Sequence, residues 1–421
     1  MTPPPGPSPH GGASVGPLAQ SVGEALRALR AALFDLYREV GADPSAPQEV
    51  SRRYGVTKSQ AWKIAKILQA TDPLDAARYL PGMRGMERVL EALAGHGASA
   101  PQVERARQAM AGVHEVIRTH AGDRATFDRT LDSLRADGND PSSMEASRRL
   151  AFLGNSATWG IQARMRLTLR VLTPSAVRPG MLDIGNVSGL LDLHRLRPTT
   201  RWPLGQHYYS KKRRGQETPL PPGEMDVEPL IPSQEGPEGA PFLEEFCSHP
   251  LPPVRKVERG QGIVLELDEG PVGKAASLSS VFGLRYTGLA TMYASEAGKV
   301  AENCALLRTP SEVAITDLLV HKDVPMGSEP TARLYSNMEA EVHLGDIASR
   351  SELPLAEPVE FLGSGPPLMA TPHYDRYEEL VVRVVEAMGG GLEEYSAWRV
   401  VQRYPPIPTM LSVQFELATR G

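Results

Sequence analysis

The sequence predicts a multidomain protein, with an N-terminal all-α domain followed by a strand-rich α+β domain. Two patterns predict this division. Over residues 17–137 apolar residues recur every three or four positions, as on one face of a helix, whereas from Ile161 onward they alternate with polar ones, as in a half-buried strand. The composition, 41% hydrophobic and 23% charged over 421 residues, is typical of a globular protein.

The all-α domain is predicted to begin with a helix over residues 18–40. Ser21 and Glu24 have the spacing of a capping box there, and a leucine stripe follows, formed by Leu26, Leu29, Leu33 and Leu36. Further helices are predicted over 83–95, 101–120 and 124–135, each bounded by Gly or Pro. Residues 1–16 are expected to form a disordered tail, and the turn-rich segment 136–143 is expected to separate the domains.

The α+β domain, residues 144–421, is predicted from strands at 161–171, 262–267, 284–292, 332–344, 398–403 and 410–417 and a helix at 374–388. A Pro/Gly-rich excursion is expected at 211–253. On the strand Ile161–Val171, three arginines (Arg164, Arg166 and Arg170) occupy the side opposite the apolar residues. We interpret that side as a solvated face paired with carboxylates, in preference to a second anionic contact or a pocket for an acidic ligand.

The strongest functional signal is the segment SAPQEVSRRYGVTKSQAWKIAKIL, residues 45–68. Ser45 and Gln48 have the spacing of a capping box, and Pro47 suits the first turn of a helix. That helix is predicted to end at Gly55, because glycine tolerates the positive φ of a sharp turn. A second helix then runs to the end of the segment.

This second helix is predicted to start at the capping residue Thr57 and to carry a polar outer surface. The apolar contacts between the two helices would come from Val50, Tyr54, Val56, Ala61 and Ile64. The outward residues would be Lys58, Ser59, Gln60, Trp62, Lys63 and Lys66. Residues 48–68 contain five basic side chains and a single acid, Glu49. Since a major groove accepts a helix, and Lys, Ser and Gln can hydrogen-bond base edges, this pattern favours contact with duplex DNA.

The segment VSRRYGVTKSQAWKI, residues 50–64, resembles the helix-turn-helix of bacterial repressors and activators, especially the lactose-repressor type. The resemblance implies that Lys58, Ser59 and Lys63 contact bases and that Thr57 and Trp62 contact the DNA backbone. Arg52, Arg53 and Lys66 would suit phosphates. Two positions depart from the pattern: Ala61 replaces the usual β-branched residue, and Trp62 is unusually bulky for an outward position.

These observations predict a sequence-specific DNA-binding transcription regulator, whose C-terminal domain senses a small-molecule effector or mediates assembly. Because one small recognition helix binds weakly, we expect a homodimer or higher homo-oligomer on two half-sites of double-stranded DNA. The alternative is a structural, self-assembling or adaptor protein whose helical domain serves protein contacts.

Other classes of function have weaker signals. The net charge of −5 requires that any nucleic-acid contact come from a local basic face. With no apolar run of spanning length, no secretory signal and no zinc-ligand spacing around Cys247 and Cys304, we expect a reduced cytoplasmic protein without membrane contact, metal or cofactor. Asp317 and His321 are the best catalytic candidates, but no nucleophile or phosphate-loop motif accompanies them, so an enzyme is not expected.

Overall fold

The computed structural model describes residues 17–134, 141–208, 226–232, 240–259, 262–295, 299–337, 351–355 and 357–420. The chain divides into two compact units, Met1–Asp140 and Pro141–Gly421. The described part of the first is helical, whereas the second contains more strand than helix, so the predicted order of α followed by α+β is confirmed. The predicted tail, residues 136–140 of the predicted domain break and parts of the Pro/Gly-rich excursion (211–225 and 233–239) lie outside the described residues. Residues 141–143 of the predicted break are helical instead.

The first unit is a helical bundle around one apolar core. Its helices are α1 (Pro17–Val40), α2 (Pro47–Tyr54), α3 (Lys58–Gln69), α4 (Pro73–Ala77), α5 (Met83–Ala94), α6 (Ala100–Ala121) and α7 (Arg124–Leu134). The predicted leucine stripe of α1 is fully buried, and α1 packs along α6. Burial of each such leucine contributes about 1.5–3 kcal/mol, which fixes the helix in place. The short helix α4 was not predicted.

The second unit begins with a helix and continues mainly as strands. Its elements are α8 (Pro141–Trp159), β1 (Ile161–Pro174), β2 (Met181–Arg195), β3 (Trp202–Tyr208), β4 (Asp226–Pro229), β5 (Val254–Arg259), β6 (Gly262–Leu267), β7 (Leu278–Thr291), β8 (Val300–Leu307), β9 (Ser311–His321), β10 (Thr331–Ser336), β11 (Glu352–Leu353), β12 (Glu360–Ser364), α9 (Tyr377–Ala387), β13 (Tyr395–Arg403) and β14 (Thr409–Glu416). All the predicted elements are present where the chain is described, although residues 338–344 of one predicted strand lie outside it. The helix α8 and several strands, among them β2 and β9, were not predicted.

Three sheets form the second unit. The largest has the order β12-β13-β9-β1-β2-β7-β4, and a four-stranded sheet β11-β10-β14-β8 and a three-stranded sheet β3-β6-β5 accompany it. Strands β1 and β9 run parallel, while β1 and β2 are antiparallel. The strand β1 therefore occupies the centre of the large sheet.

The central position of β1 changes the interpretation of its polar side. Met165, Leu167, Leu169 and Val171 pack with α9 in one apolar core, as the alternation predicts. The opposite side is covered as well, because Leu172 of β1 packs with residues of the four-stranded sheet in a second core. The prediction of a solvated outer face is therefore wrong for the middle of the strand, since alternation within a strand cannot reveal that a second layer covers its polar side.

Candidate nucleic-acid interface

The helices α2 and α3 are joined by a tight turn of three residues, Gly55 to Thr57. Gly55 adopts a left-handed conformation with φ of 70°, as predicted. The Ser51 hydroxyl, from α2, donates a hydrogen bond of 2.8 Å to the Val56 carbonyl in the turn. The Tyr54 hydroxyl donates to the Val40 carbonyl at 2.8 Å and so ties α2 to the end of α1. These contacts hold the two helices in a fixed relative orientation.

The two helices begin in different ways. Thr57 caps α3 as predicted: its Oγ1 accepts the Gln60 N–H at 3.2 Å, and its own N–H donates to Gln60 Oε1 at 3.1 Å. The predicted capping box of Ser45 and Gln48 is wrong, because α2 starts after Ala46 without a side-chain cap. Ser45 instead donates its N–H and its hydroxyl to the Asp43 carboxylate, both at 2.8 Å. Asp side chains compete in this way for nearby donors two residues on.

The apolar contacts between the helices match the sequence pattern. The residues predicted to face inward, Val50, Tyr54, Val56, Ala61 and Ile64, are all buried in the core of the first unit. Ala61 departs from the family pattern, yet it is buried between the helices like its neighbours. The outward face of α3 consequently consists of the residues that the sequence assigns to it, which are polar except for Trp62.

That outward face is open at its N-terminal end. Lys58 and Ser59 are exposed, and Lys63 and Lys66 are partly exposed one and two turns further along. Arg52, Lys58 and Lys63 form no hydrogen bond or ion pair with any described residue. Because these cations have no internal partner, their full charge is directed to solvent, which suits an approaching polyanion.

Trp62 has a structural contact that explains its size. Its ring is 46% exposed and packs edge-to-face against Tyr79, with ring centroids 5.3 Å apart. The Lys66 ammonium lies 5.7 Å from the centre of the same ring. Trp62 thus positions Lys66 while its other edge remains accessible. In α2, the Arg53 guanidinium lies in a similar way 5.4 Å from the Tyr54 ring.

Gln60 is the least available of the predicted contact residues. Its Oε1 is engaged by Thr57, and its Nε2 donates to the Gly85 carbonyl at 3.1 Å. Gln60 therefore holds the first turn of α5 against the start of α3. A base contact by Gln60 would require one of these hydrogen bonds to break.

This link places basic residues near α3 that the sequence analysis missed. Arg84 directly precedes Gly85, and Arg78 directly precedes Tyr79, the residue that contacts Trp62. Both arginines are exposed. Each is far from α3 along the chain, so the only signal in the sequence was their charge, and nothing local distinguished them from other surface arginines.

The structure does not combine the two catalytic candidates into one site. Asp317 is buried and forms an ion pair with Arg399 at 2.7 Å, and it accepts a hydrogen bond from the Tyr377 hydroxyl at 2.8 Å. Although burial acts to lower the pKa of Arg399, the hydrogen bonds that it donates to Asp317 raise it. His321 lies beside Asp323 and Glu394 instead. A cavity of about 310 Å³ is lined by His321, but Asp317 does not line it. The arrangement is that of a structural ion pair.

Within the described ranges no cluster of three or more His, Cys, Asp or Glu side chains could hold a metal ion. In the same part of the chain, every helix is too short or too polar to cross a bilayer.

Comparison with known proteins finds no matching family model, no matching curated protein and no matching solved structure. The resemblance to lactose-repressor-type regulators therefore rests on residues 45–68 alone. Any assignment of function depends on the geometry and charge of this segment.

Proposed function

We propose that this chain is a cytoplasmic, sequence-specific DNA-binding transcription regulator that acts through α3. The observation that carries the proposal is the face of α3 on which Lys58 and Lys63 lie without a hydrogen-bond or ion-pair partner among the described residues. Arg52 of α2 is exposed and has no such partner in the described part of the chain either. A helix about 10–12 Å in diameter fits a major groove about 12 Å wide. The N-terminus of α3 also carries a partial positive charge, which favours phosphate.

Each predicted contact residue has a role in this interface. Lys58, Ser59 and Lys63 reach the base edges, where lysine and hydroxyl groups hydrogen-bond with the groove. Contacts with the sugar-phosphate backbone come from Arg52, Arg53, Thr57, Trp62 and Lys66. Gln60 contributes by fixing the first turn of α3 through Thr57 and Gly85.

One recognition helix provides too few contacts for tight binding, so the regulator acts as a homodimer or higher homo-oligomer. Two copies would then contact half-sites about one helical turn apart. The second unit would sense a small-molecule effector or mediate this assembly.

The experiment is selection of bound sequences from random duplex DNA, followed by titrations at two salt concentrations. Lys63→Ala is expected to cost about 1–3 kcal/mol and to relax the sequence preference. Arg53→Ala should weaken binding to all sequences alike and reduce the salt slope by about 1, because it removes a phosphate contact. Arg118→Ala is the matched control, since Arg118 is exposed on α6 and paired with Glu115.

Two results would contradict the proposal. One is that no duplex binds with a salt-dependent affinity. The other is that Lys63→Ala and Arg118→Ala weaken binding equally, which would show only a loss of total charge.

A self-assembling structural protein is the second candidate, and one observation favours it. The helix α8 exposes Leu150 and Leu153, with 72% and 51% of their surface accessible, three residues apart on one face. Size-exclusion chromatography separates the two candidates. A large closed assembly that has no salt-sensitive retention on DNA would support this second function.

A further inference from the structure

The large sheet of the second unit has a cluster of polar residues on the face of β1 opposite α9. Thr168 lies in register between Thr316 of β9 and Ser188 of β2, and Arg170 lies beside Asn186 of β2. Residues directly opposite each other on neighbouring strands project to the same side of a sheet. The side chains of these three strands therefore meet in one place, which we call the arginine cluster.

Arg166 extends the cluster towards the neighbouring strand β13. It is in register with Ala314 of β9, and Ala314 is in register with Gln402 of β13. Only the small side chain of Ala314 lies between those of Arg166 and Gln402 on this face. The arginine cluster thus consists of Arg166, Thr168, Arg170, Asn186, Ser188, Thr316 and Gln402.

Several of its polar atoms are buried without a partner among the described residues. Gln402 is 0% exposed, and neither its amide nitrogen nor its amide oxygen forms a hydrogen bond. The Oγ1 atoms of Thr168 and Thr316 are also buried without a hydrogen-bond partner. A buried polar group without a partner costs about 1–3 kcal/mol, and such groups are uncommon in native proteins. Four unsatisfied atoms on one face indicate that something else completes their hydrogen bonds.

The two arginines of the cluster have no counter-charge among the described residues. Arg166 forms no hydrogen bond or ion pair there, and its Nε is shielded from solvent. Arg170 donates from Nη2 to the Cys304 carbonyl at 2.9 Å, while its Nη1 has no partner. Burial, and then the positive charge of Arg170, lower the pKa of Arg166 to about 10, so this side chain remains charged near neutral pH. Burial also lowers the pKa of Arg170.

Two other arginines of the same sheet pair with buried carboxylates: Arg285 with Asp183 at 2.8 Å, and Arg399 with Asp317 at 2.7 Å. A third, the buried Arg195, donates to the Thr200 and Asp268 carbonyls. Arg166 has neither kind of partner among the described residues. Water could complete the hydroxyl groups of the cluster, but it cannot neutralise two guanidinium charges.

We propose that the arginine cluster binds a small molecule through its carboxylate or phosphate group. An oxyanion accepts paired hydrogen bonds from guanidinium groups and neutralises them. The threonine and serine hydroxyls and the Gln402 amide can donate to its remaining oxygens. Arg166, Arg170, Asn186 and Ser188 are each partly exposed, so the cluster is reachable from solvent.

The regulatory meaning of this site rests on the ligand-sensing role proposed above, but anion binding itself does not require DNA. The two ideas can therefore fail separately. If the full chain binds an oxyanion and no duplex, the site stands and the DNA-binding function falls.

The test uses the full chain with inorganic phosphate and malonate as probes at millimolar concentration, with chloride at matched ionic strength as the reference. A carboxylate or phosphate ligand is expected to raise the Tm of the second unit in a saturable manner. The relative response to malonate and phosphate distinguishes the two kinds of ligand. Calorimetric titration gives the corresponding Kd.

Arg166→Met is the decisive variant. Because it removes an unneutralised charge from the interior, it should raise the Tm in chloride, and it should abolish the response to both probes. Arg166→Lys keeps the charge but loses the planar fork, so it should weaken anion binding by about tenfold or more. Arg333→Met is the matched control, since Arg333 lies on β10 in an exposed pair with Glu352; it should leave both quantities unchanged.

The proposal is overturned if neither phosphate nor malonate raises the Tm of the unsubstituted chain above the chloride reference. It is also overturned if Arg166→Met and Arg166→Lys respond to the anions as the unsubstituted chain does. That second result would show only the general stabilisation that these anions give to many proteins.

Discussion

Each unit has cations without a partner among the described residues, and the two units place them in different environments. In the first unit, Arg52, Lys58 and Lys63 lie towards solvent, whereas in the second unit Arg166 and Arg170 lie against a covered face of the large sheet. An unpaired cation in water is solvated at little cost, but one in the interior carries a penalty of several kcal/mol. The same missing partner therefore supports two different proposals: a surface for a polyanion in the first unit, and a binding position for an oxyanion in the second.

The largest expected effect concerns an interior arginine that does have its partner. Arg399→Leu would leave Asp317 buried without its counter-charge, because Arg399 donates from Nε at 2.9 Å and from Nη2 at 2.7 Å. Breaking a buried pair from one side costs about 3–5 kcal/mol. Urea unfolding of the second unit, followed by tryptophan fluorescence, measures this loss.

Arg403→Leu is the control for this prediction. Arg403 lies on the same strand, but it is exposed and pairs with Glu145 at 3.2 Å, so its loss should cost less than about 1 kcal/mol. If both variants lose the same stability, burial does not distinguish these arginines. The comparison is tested most sharply by these two variants together: Arg399→Leu should lower the stability of the second unit, whereas Arg166→Met should raise it.

The sequence predicted the first unit better than the second because helical patterns are local. The stripe Leu26 to Leu36 and the ends of α5, α6 and α7 depend on residues three or four positions apart. The covered face of β1 depends instead on its pairing with β9, more than a hundred residues further along the chain. Alternation predicted the strand itself, but it could not predict the second layer, so Arg166 and Arg170 were assigned to solvent.

The next effect tests the turn before α3. Gly55→Ala should destabilise the first unit by about 1–2 kcal/mol, because alanine is strained at a φ of 70° even though no atom lies within 4 Å of the added Cβ. Gly112→Ala is the matched control, since Gly112 is in the exposed interior of α6 with the same free space. It should stabilise the unit by about 0.5–1 kcal/mol.

Thermal unfolding of the first unit, followed by circular dichroism at a helix wavelength, measures both changes. A loss of thermal stability in both variants would mean that packing, and not backbone conformation, disfavours alanine at both positions. Changes of opposite sign would show that backbone conformation decides the effect, and that the turn itself holds α3 in its orientation.

The third effect separates a cap that the sequence predicted correctly from one that it did not. Thr57→Ala removes the cap of α3 and should cost about 1 kcal/mol. Ser45→Ala should have almost no effect on α2, since Ser45 hydrogen-bonds to Asp43. Equal losses in urea unfolding would contradict the assignment of these caps.

These two positions show what could be predicted about the candidate site. Thr57 and its neighbours in α3 were predictable because a cap, a turn and a helix face are local patterns. The hydrogen bond from Gln60 to the Gly85 carbonyl was not predictable, because Gly85 belongs to α5 and lies 25 residues further along the chain. The same contact places Arg84 near α3, so local patterns underestimate the extent of a basic surface.

The smallest expected effect concerns a histidine of the first unit whose protonation should lower the stability of the folded state. His114 on α6 is partly buried, and its pKa is lowered from the ordinary 6.5 first by burial and then by the positive charge of Arg124. The unfolded chain therefore binds this proton more readily than the folded unit. Above about pH 6.5 this position is neutral in both states, so the folded state loses no stability there; as the pH falls below that value, stability is lost.

Urea midpoints near pH 7.5 and near pH 5.5 should therefore differ less in His114→Gln than in the unsubstituted chain. His120→Gln, which is exposed on the same helix, should leave that difference unchanged. If His114→Gln keeps the full acid sensitivity, this histidine is not its source, and the first unit has no counterpart there to the charge penalty of Arg166.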